Sequence, residues 1–107
     1  MANRSKFVHN GDKYETVAAS ATDQALGPVG DTGDYLARIL LIPASTSPGA
    51  VSIKDGAGAA ITIFTGGAAS ITTLEPIPVE IGARSTGGSW KVTTGAAISA
   101  ICIGDFT

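Results

Sequence analysis

His9 is the only histidine and Cys102 the only cysteine in 107 residues, so no zinc set built on those two residue types and no cysteine and histidine pair with a third orienting group suggests itself. Asp31 and Asp34, in Gly30-Asp31-Thr32-Gly33-Asp34, offer the hard oxygens that calcium prefers. The run lacks the regular oxygen spacing and closing bidentate Glu of an EF-hand, and a turn capping the following strand accounts for it more simply. Gly56-Ala57-Gly58 begins like a dinucleotide fingerprint, but Ile61 stands where the third glycine belongs and a strand pattern, not a helix, follows. Glu75 and Glu80 could be imagined as a glycosidase pair, yet on a strand rising about 3.3 Å per residue nothing sets a second acid opposite either. They read as solvated turn and edge carboxylates. Trp90 could stack on a sugar or anchor an interface, although its phase match to Val92 places it on an inward face. No catalytic residue, metal ligand or cofactor is expected, and the expected class is non-enzymatic.

The elements that would position these residues follow from composition and period. At 44% hydrophobic and 15% charged the chain lies outside the disorder regime, and its length suits one core. Arg4, Lys6 and Lys13 against Asp12 make residues 1–13 basic, while the remainder is acidic with its bases scattered. A duplex binder needs its bases clustered, so no nucleic acid partner is expected. No stretch approaches the roughly 20 apolar residues of a membrane span, and the start shows no apolar signal region. Neither a membrane nor export is expected.

From Tyr35 onward the period is close to two. Val51 and Ile53, Ile61 and Ile63, Ile77, Val79 and Ile81, and Trp90 and Val92 each alternate with small or polar residues, the pattern of strands that bury one face. Residues 35–42 and 98–103 are apolar on both faces apart from Arg38 and Ser99, as strands covered on two sides would be. One cover is the core; a neighbouring subunit is the expected second. Asp55-Gly56-Ala57-Gly58 reads as a hairpin turn. Pro78 sends its strand to a sheet edge, and Cys102 within Ile101-Cys102-Ile103 reads as a buried thiol. About seven or eight such strands with no covering helix predict an all-β, two-layer antiparallel β-sandwich, jelly-roll-like. Its body covers residues 35–107. Residues 1–34 are expected as an extended N-terminal arm, with a possible short hairpin at Asn10-Gly11.

The runs Gly33-Asp34-Tyr35-Leu36, Pro48-Gly49-Ala50-Val51-Ser52-Ile53-Lys54-Asp55-Gly56, Gly88-Ser89-Trp90-Lys91-Val92-Thr93-Thr94-Gly95 and Ile103-Gly104-Asp105-Phe106 resemble small structural proteins of tailed bacteriophages. Among these it looks like head decoration, or cement, proteins. The resemblance implies a virion protein made in the host bacterial cytoplasm that binds the exterior of the assembled capsid, with the major capsid protein as partner. It also implies a homo-oligomer, a trimer rather than a dimer. The resemblance carries the class and assigns no residue a role; the basic leader makes Arg4, Lys6, Phe7, Lys13 and Tyr14 the expected capsid contacts, and the two-sided apolar runs make Leu36, Arg38, Leu40, Ile101 and Ile103 the expected oligomer interface. The alternative is a tail-fibre or host-surface carbohydrate-binding β-module using Trp90 or Tyr35.

Overall fold

The computed structural model describes residues 13–107, and all of their regular structure is β. Eight strands run in order: β1 Lys13–Val17, β2 Gln24–Ala25, β3 Tyr35–Pro43, β4 Val51–Asp55, β5 Ile61–Phe64, β6 Ile77–Arg84, β7 Trp90–Thr94 and β8 Ile98–Asp105. They form two antiparallel four-stranded sheets, the first ordered β1-β8-β3-β6 and the second β2-β7-β4-β5. Only the β4–β5 connection is a hairpin within one sheet; every other connection crosses to the opposite sheet. Burial of both inner faces against each other is thereby built into the chain order.

The alternation expected from sequence is visible strand by strand. On β8, Ile98, Ala100, Cys102 and Gly104 are buried while Ser99, Ile101, Ile103 and Asp105 are not. On β7, Trp90, Val92 and Thr94 are buried. These residues meet Val17, Leu26, Leu36, Ile39, Leu41, Val51, Ile53 and Phe106 in one core, whose burial is the dominant favourable term in folding. Cys102 is fully enclosed there, and burial, with a smaller contribution from Glu15, pushes its thiol up to about 12. Gly104 lies on the same inward row, where a methyl group would strike the Tyr35 carbonyl and the Phe106 ring. In the β4–β5 turn, Gly56 has a φ of +63° and backs onto the Gly87 main chain, a position few other residues tolerate.

β6, with Pro78, is an edge of the first sheet as expected. Three expectations need correction. Residues 13–34 are not a separate arm: β1 and β2 are edge strands of the two sheets, and Val17 and Leu26 reach the core at 1% and 0% exposure. The sequence obscures this because Lys13 and Glu15 share the inward row with Val17 at the rim of the sandwich. There Glu15 accepts hydrogen bonds from Gln24 Nε2 at 2.9 Å and from the Gly27 N–H at 2.7 Å, linking the edges of the two sheets. Second, Leu36, expected at a subunit contact, is completely buried. The register slips between Leu36 and Arg38 on both neighbours of β3, and this bulge turns Leu36 and Ala37 inward together before Arg38 faces out. Third, Ile61 is 52% exposed because β5 is the outermost strand of its sheet. The possible hairpin at Asn10-Gly11 lies outside the described residues, as do His9, Arg4, Lys6 and Phe7.

Candidate docking face on one sheet

Apart from Glu75, the carboxylates of the described residues are engaged in structural hydrogen bonds or ion pairs. Asp34, 3% exposed, accepts from the Asp31 N–H at 3.1 Å, the Thr107 N–H at 3.2 Å and the Thr107 hydroxyl at 2.9 Å. This is the turn expected of residues 30–34. Asp55 accepts from the Thr86 N–H and hydroxyl and from the Gly87 N–H, and these bonds hold its carboxyl below the ordinary range. Asp23 pairs with Lys54 at 3.1 Å and accepts from the Thr93 hydroxyl, with the same result. Glu80 pairs with Arg38 at 3.1 Å. Among the described residues no group of three His, Cys, Asp or Glu side chains is placed to hold a metal ion.

Trp90 is an inward residue, 5% exposed. That burial leaves neither ring face free to stack, and the indole N–H donates to the Asp34 carbonyl at 3.0 Å. The Tyr35 ring carries the Arg84 guanidinium 5.5 Å from its centroid, a cation–π arrangement.

The two outer faces differ sharply. On the second sheet the outward positions are Ala25 on β2, Ser52 and Lys54 on β4, Thr62 on β5, and Lys91 and Thr93 on β7, all polar apart from the small Ala25. On the first sheet the outward rows follow from the register. Tyr14, Ile103, Arg38 and Glu80 lie side by side across β1, β8, β3 and β6; Thr16, Ile101, Leu40 and Pro78 form the next row, and Ser99 pairs with Ile42 beyond it. Leu40, Ile42, Ile101 and Ile103 are half-buried by their neighbours on the sheet, and none of them packs against the core. Tyr14 is 71% exposed. Four large aliphatic side chains are therefore contiguous on the two central strands, bounded by an ion pair on one side and by Thr16 and Pro78 on the flanks.

Of the expected oligomer residues, the structure brings Arg38, Leu40, Ile101 and Ile103 together on this face and leaves Leu36 in the core. Lys13 and Tyr14, expected at the capsid, separate: Lys13 is spent at the rim on Asp105 at 3.5 Å and the Phe106 carbonyl at 3.1 Å, whereas Tyr14 joins the outer face beside Ile103. Ile42 and Pro78 also belong to the face; the two-sided apolar character of residues 35–42 is the sequence signal for Ile42. Pro78 needed the β3–β6 register. No protein-family model matches the chain, and no curated protein or solved structure matches it.

Proposed function

We propose that the chain is a non-enzymatic structural protein of a tailed-phage virion, which binds the outside of the assembled capsid and stabilises it. The observation that carries this reading is the inequality of the two outer faces. Leu40, Ile42, Ile101 and Ile103 form an apolar patch on one sheet, while the other sheet presents Ser52, Lys54, Lys91 and Thr93 to water. A contiguous apolar patch rimmed by polar groups marks an interaction surface, and a small rigid block with one such face suits assembly better than turnover. The orders β1-β8-β3-β6 and β2-β7-β4-β5 support reading the sandwich as a jelly roll, an architecture used by viral capsid and lectin domains. Since one fold hosts many functions, the weight rests on the face and not on the topology.

In this reading the outer face of the first sheet joins copies into a trimer, which seats on the shell through the major capsid protein. A protein that binds only the assembled shell stabilises it by mass action, by about 2.7 kcal/mol per site at a free concentration a hundredfold above Kd, and repeated over a shell the effect accumulates. The carbohydrate-binding alternative loses its principal stacking residue, because Trp90 lies inside.

The test is co-sedimentation of the purified full chain with heads of the encoding phage. Saturable binding, and heads that resist heating better when coated, are expected. A folded chain that leaves heads bare would overturn the reading. Light scattering of the free chain reads the oligomer separately, and a monomer throughout the micromolar range would remove the outer face as a contact between copies.

A further inference from the structure

Among the described residues β1 is an outer strand of the first sheet, and two neighbours fix the direction in which its main-chain groups point. Pro78 has no N–H, and a proline on an edge strand turns its nitrogen away from the ladder. Its partner Leu40 therefore directs its own N–H and C=O to Ile101 across the β3–β8 ladder. In an antiparallel sheet a residue that exchanges both bonds with one neighbour makes none to the other, so the main-chain groups of Ile101 turn away from its β1 partner Thr16, and those of Thr16 face away from β8. The Thr16 carbonyl agrees with this phase, because it accepts Gln24 Nε2 at 3.0 Å from β2 of the other sheet. Two residues back along β1, the N–H and C=O of Tyr14 face the same way.

We propose that this edge is filled by the chain's own residues 6–9, which return through a two-residue turn at Asn10-Gly11 to pair antiparallel with residues 12–15. A two-residue loop makes the residues that flank it, His9 and Asp12, a hydrogen-bonded pair, and with them Phe7 and Tyr14. That geometry needs the Tyr14 groups to point away from β8, which is how β1 presents them; in the opposite phase the hairpin would have no bonds to close. The pairs fixed in this way are complementary. Phe7 comes beside Tyr14 on the outer face, where Tyr14 is 71% exposed. Lys6 comes opposite Glu15 on the inward row, whose carboxylate bonds the neutral donors of Gln24 and Gly27, and His9 comes opposite Asp12. Aromatic and opposite-charge pairs of this kind stabilise a sheet. A slip of one residue would set Phe7 against Lys13 or Glu15 and turn Lys6 to the other face. Gln24, seated on the Thr16 carbonyl, ends the pairing after Glu15. A turn of two residues leaves no slack for this segment to cross to another copy, so the occupant is the chain's own.

The first sheet thereby gains a fifth strand, and the outer row of Tyr14, Ile103, Arg38 and Glu80 begins with Phe7. The apolar patch on β3 and β8 acquires an aromatic flank, while Lys6 turns to the rim. The inference concerns the make-up of this face and does not depend on what the face binds.

Nuclear magnetic resonance of the full chain tests it. Cross-strand contacts between α-protons are expected for Val8 with Lys13 and for Lys6 with Glu15, the non-hydrogen-bonded pairs, and the Tyr14 amide is expected to exchange slowly although it points away from β8. Gly11→Val disfavours the positive φ of the turn; it is expected to remove those contacts and to speed Tyr14 exchange about tenfold or more. The amides of β4, flanked on both sides, report that the sandwich stays folded. Lys6→Glu leaves the turn intact and sets two acids opposite each other, so it is expected to speed Tyr14 exchange as well, whereas Arg4→Glu, beyond the paired residues, is expected to leave it unchanged. Contacts that are missing or in another register, a Tyr14 amide as fast as in Gly11→Val, indifference to Lys6→Glu, or contacts found only between differently labelled chains of a mixed sample would each overturn the proposal. Head binding enters none of these readouts.

Discussion

The indole N–H of Trp90 donates to the main-chain carbonyl of Asp34 at 3.0 Å, and the same carbonyl accepts the Ser85 N–H at 2.9 Å. One backbone oxygen thus ties β7 of the second sheet to the turn that opens β3 of the first and to the end of β6. The Asp34 side chain adds Thr107 to the same junction. The largest side chain in the protein is a structural pin between layers.

Replacing Trp90 should cost mostly packing. Trp90→Ala is expected to lower stability by about 3–5 kcal/mol, the range for large aromatic truncations in cores. Trp90→Phe, which keeps a ring but removes the donor, should also be destabilising; the lost hydrogen bond accounts for about 1 kcal/mol of it, and the Asp34 carbonyl keeps its Ser85 partner. Urea denaturation of both variants measures the difference.

Cys102 should be unreactive in the folded protein. Its thiol is raised from 9.0 to about 12, so the folded state holds its proton over a range in which the unfolded state has lost it. Below pH 9 the two states are equal in this respect. Between pH 9 and 12 stability falls with rising pH by about 1.4 kcal/mol per unit from this group. Alkylation by iodoacetamide at pH 8 should be slow and limited by opening, and Cys102→Ala should remove the corresponding part of the alkaline loss in a denaturation series.

Asp55 and Asp23 predict the acid limb. Both carboxyls sit below the ordinary aspartate value of 3.8 in the folded protein, so their contributions are present above that pH and are lost as pH falls through the depressed folded values. Melting temperature should decline below about pH 4. Asp55→Asn should flatten part of that decline, and amide exchange at Thr86 and Gly87, whose N–H groups the carboxylate accepts, should quicken.

Leu36 and Leu40 offer a paired comparison on one strand. Leu36→Ala is expected to destabilise by about 2–5 kcal/mol as a core cavity and to leave association of the folded fraction unchanged. Leu40→Ala, on the half-buried outer face, should cost less stability and weaken self-association measured by light scattering. Equal effects on folding and no effect on association would contradict the assignment of Leu40 to a contact.

Much of the sandwich is legible in the chain because a buried strand in an antiparallel sheet must alternate. Val51 and Ile53, Trp90 and Val92, and the edge placement of Pro78 follow from period and from the missing proline N–H. The two-sided apolar runs also fall where that character belongs, since β3 and β8 are the central strands of the first sheet. Three features are set by tertiary pairing and leave little local trace. Leu26 is an isolated apolar residue among Gly and Pro, yet it is fully buried and its N–H donates to the Trp90 carbonyl at 2.9 Å. β1 hides its inward row because two of its three inward side chains are charged and make rim contacts. The outer face depends on which strands are neighbours: Tyr14, Ile103 and Arg38 are distant in sequence and adjacent only through the β1-β8-β3 order.

The slip at Ala37 makes the outcome of a shortening depend on where along β3 it falls. Outward positions are odd before the slip and even after it, so removing Ala37 itself would leave Leu36 inward, Arg38 outward and Ile39 inward in plain alternation, with Arg38 still opposite Ile103. Removing Ile39 instead would set Leu40 towards the interior and turn Leu41 to solvent. Loss of one codon at the slip should be absorbed, whereas loss of one codon two positions further on should be ruinous.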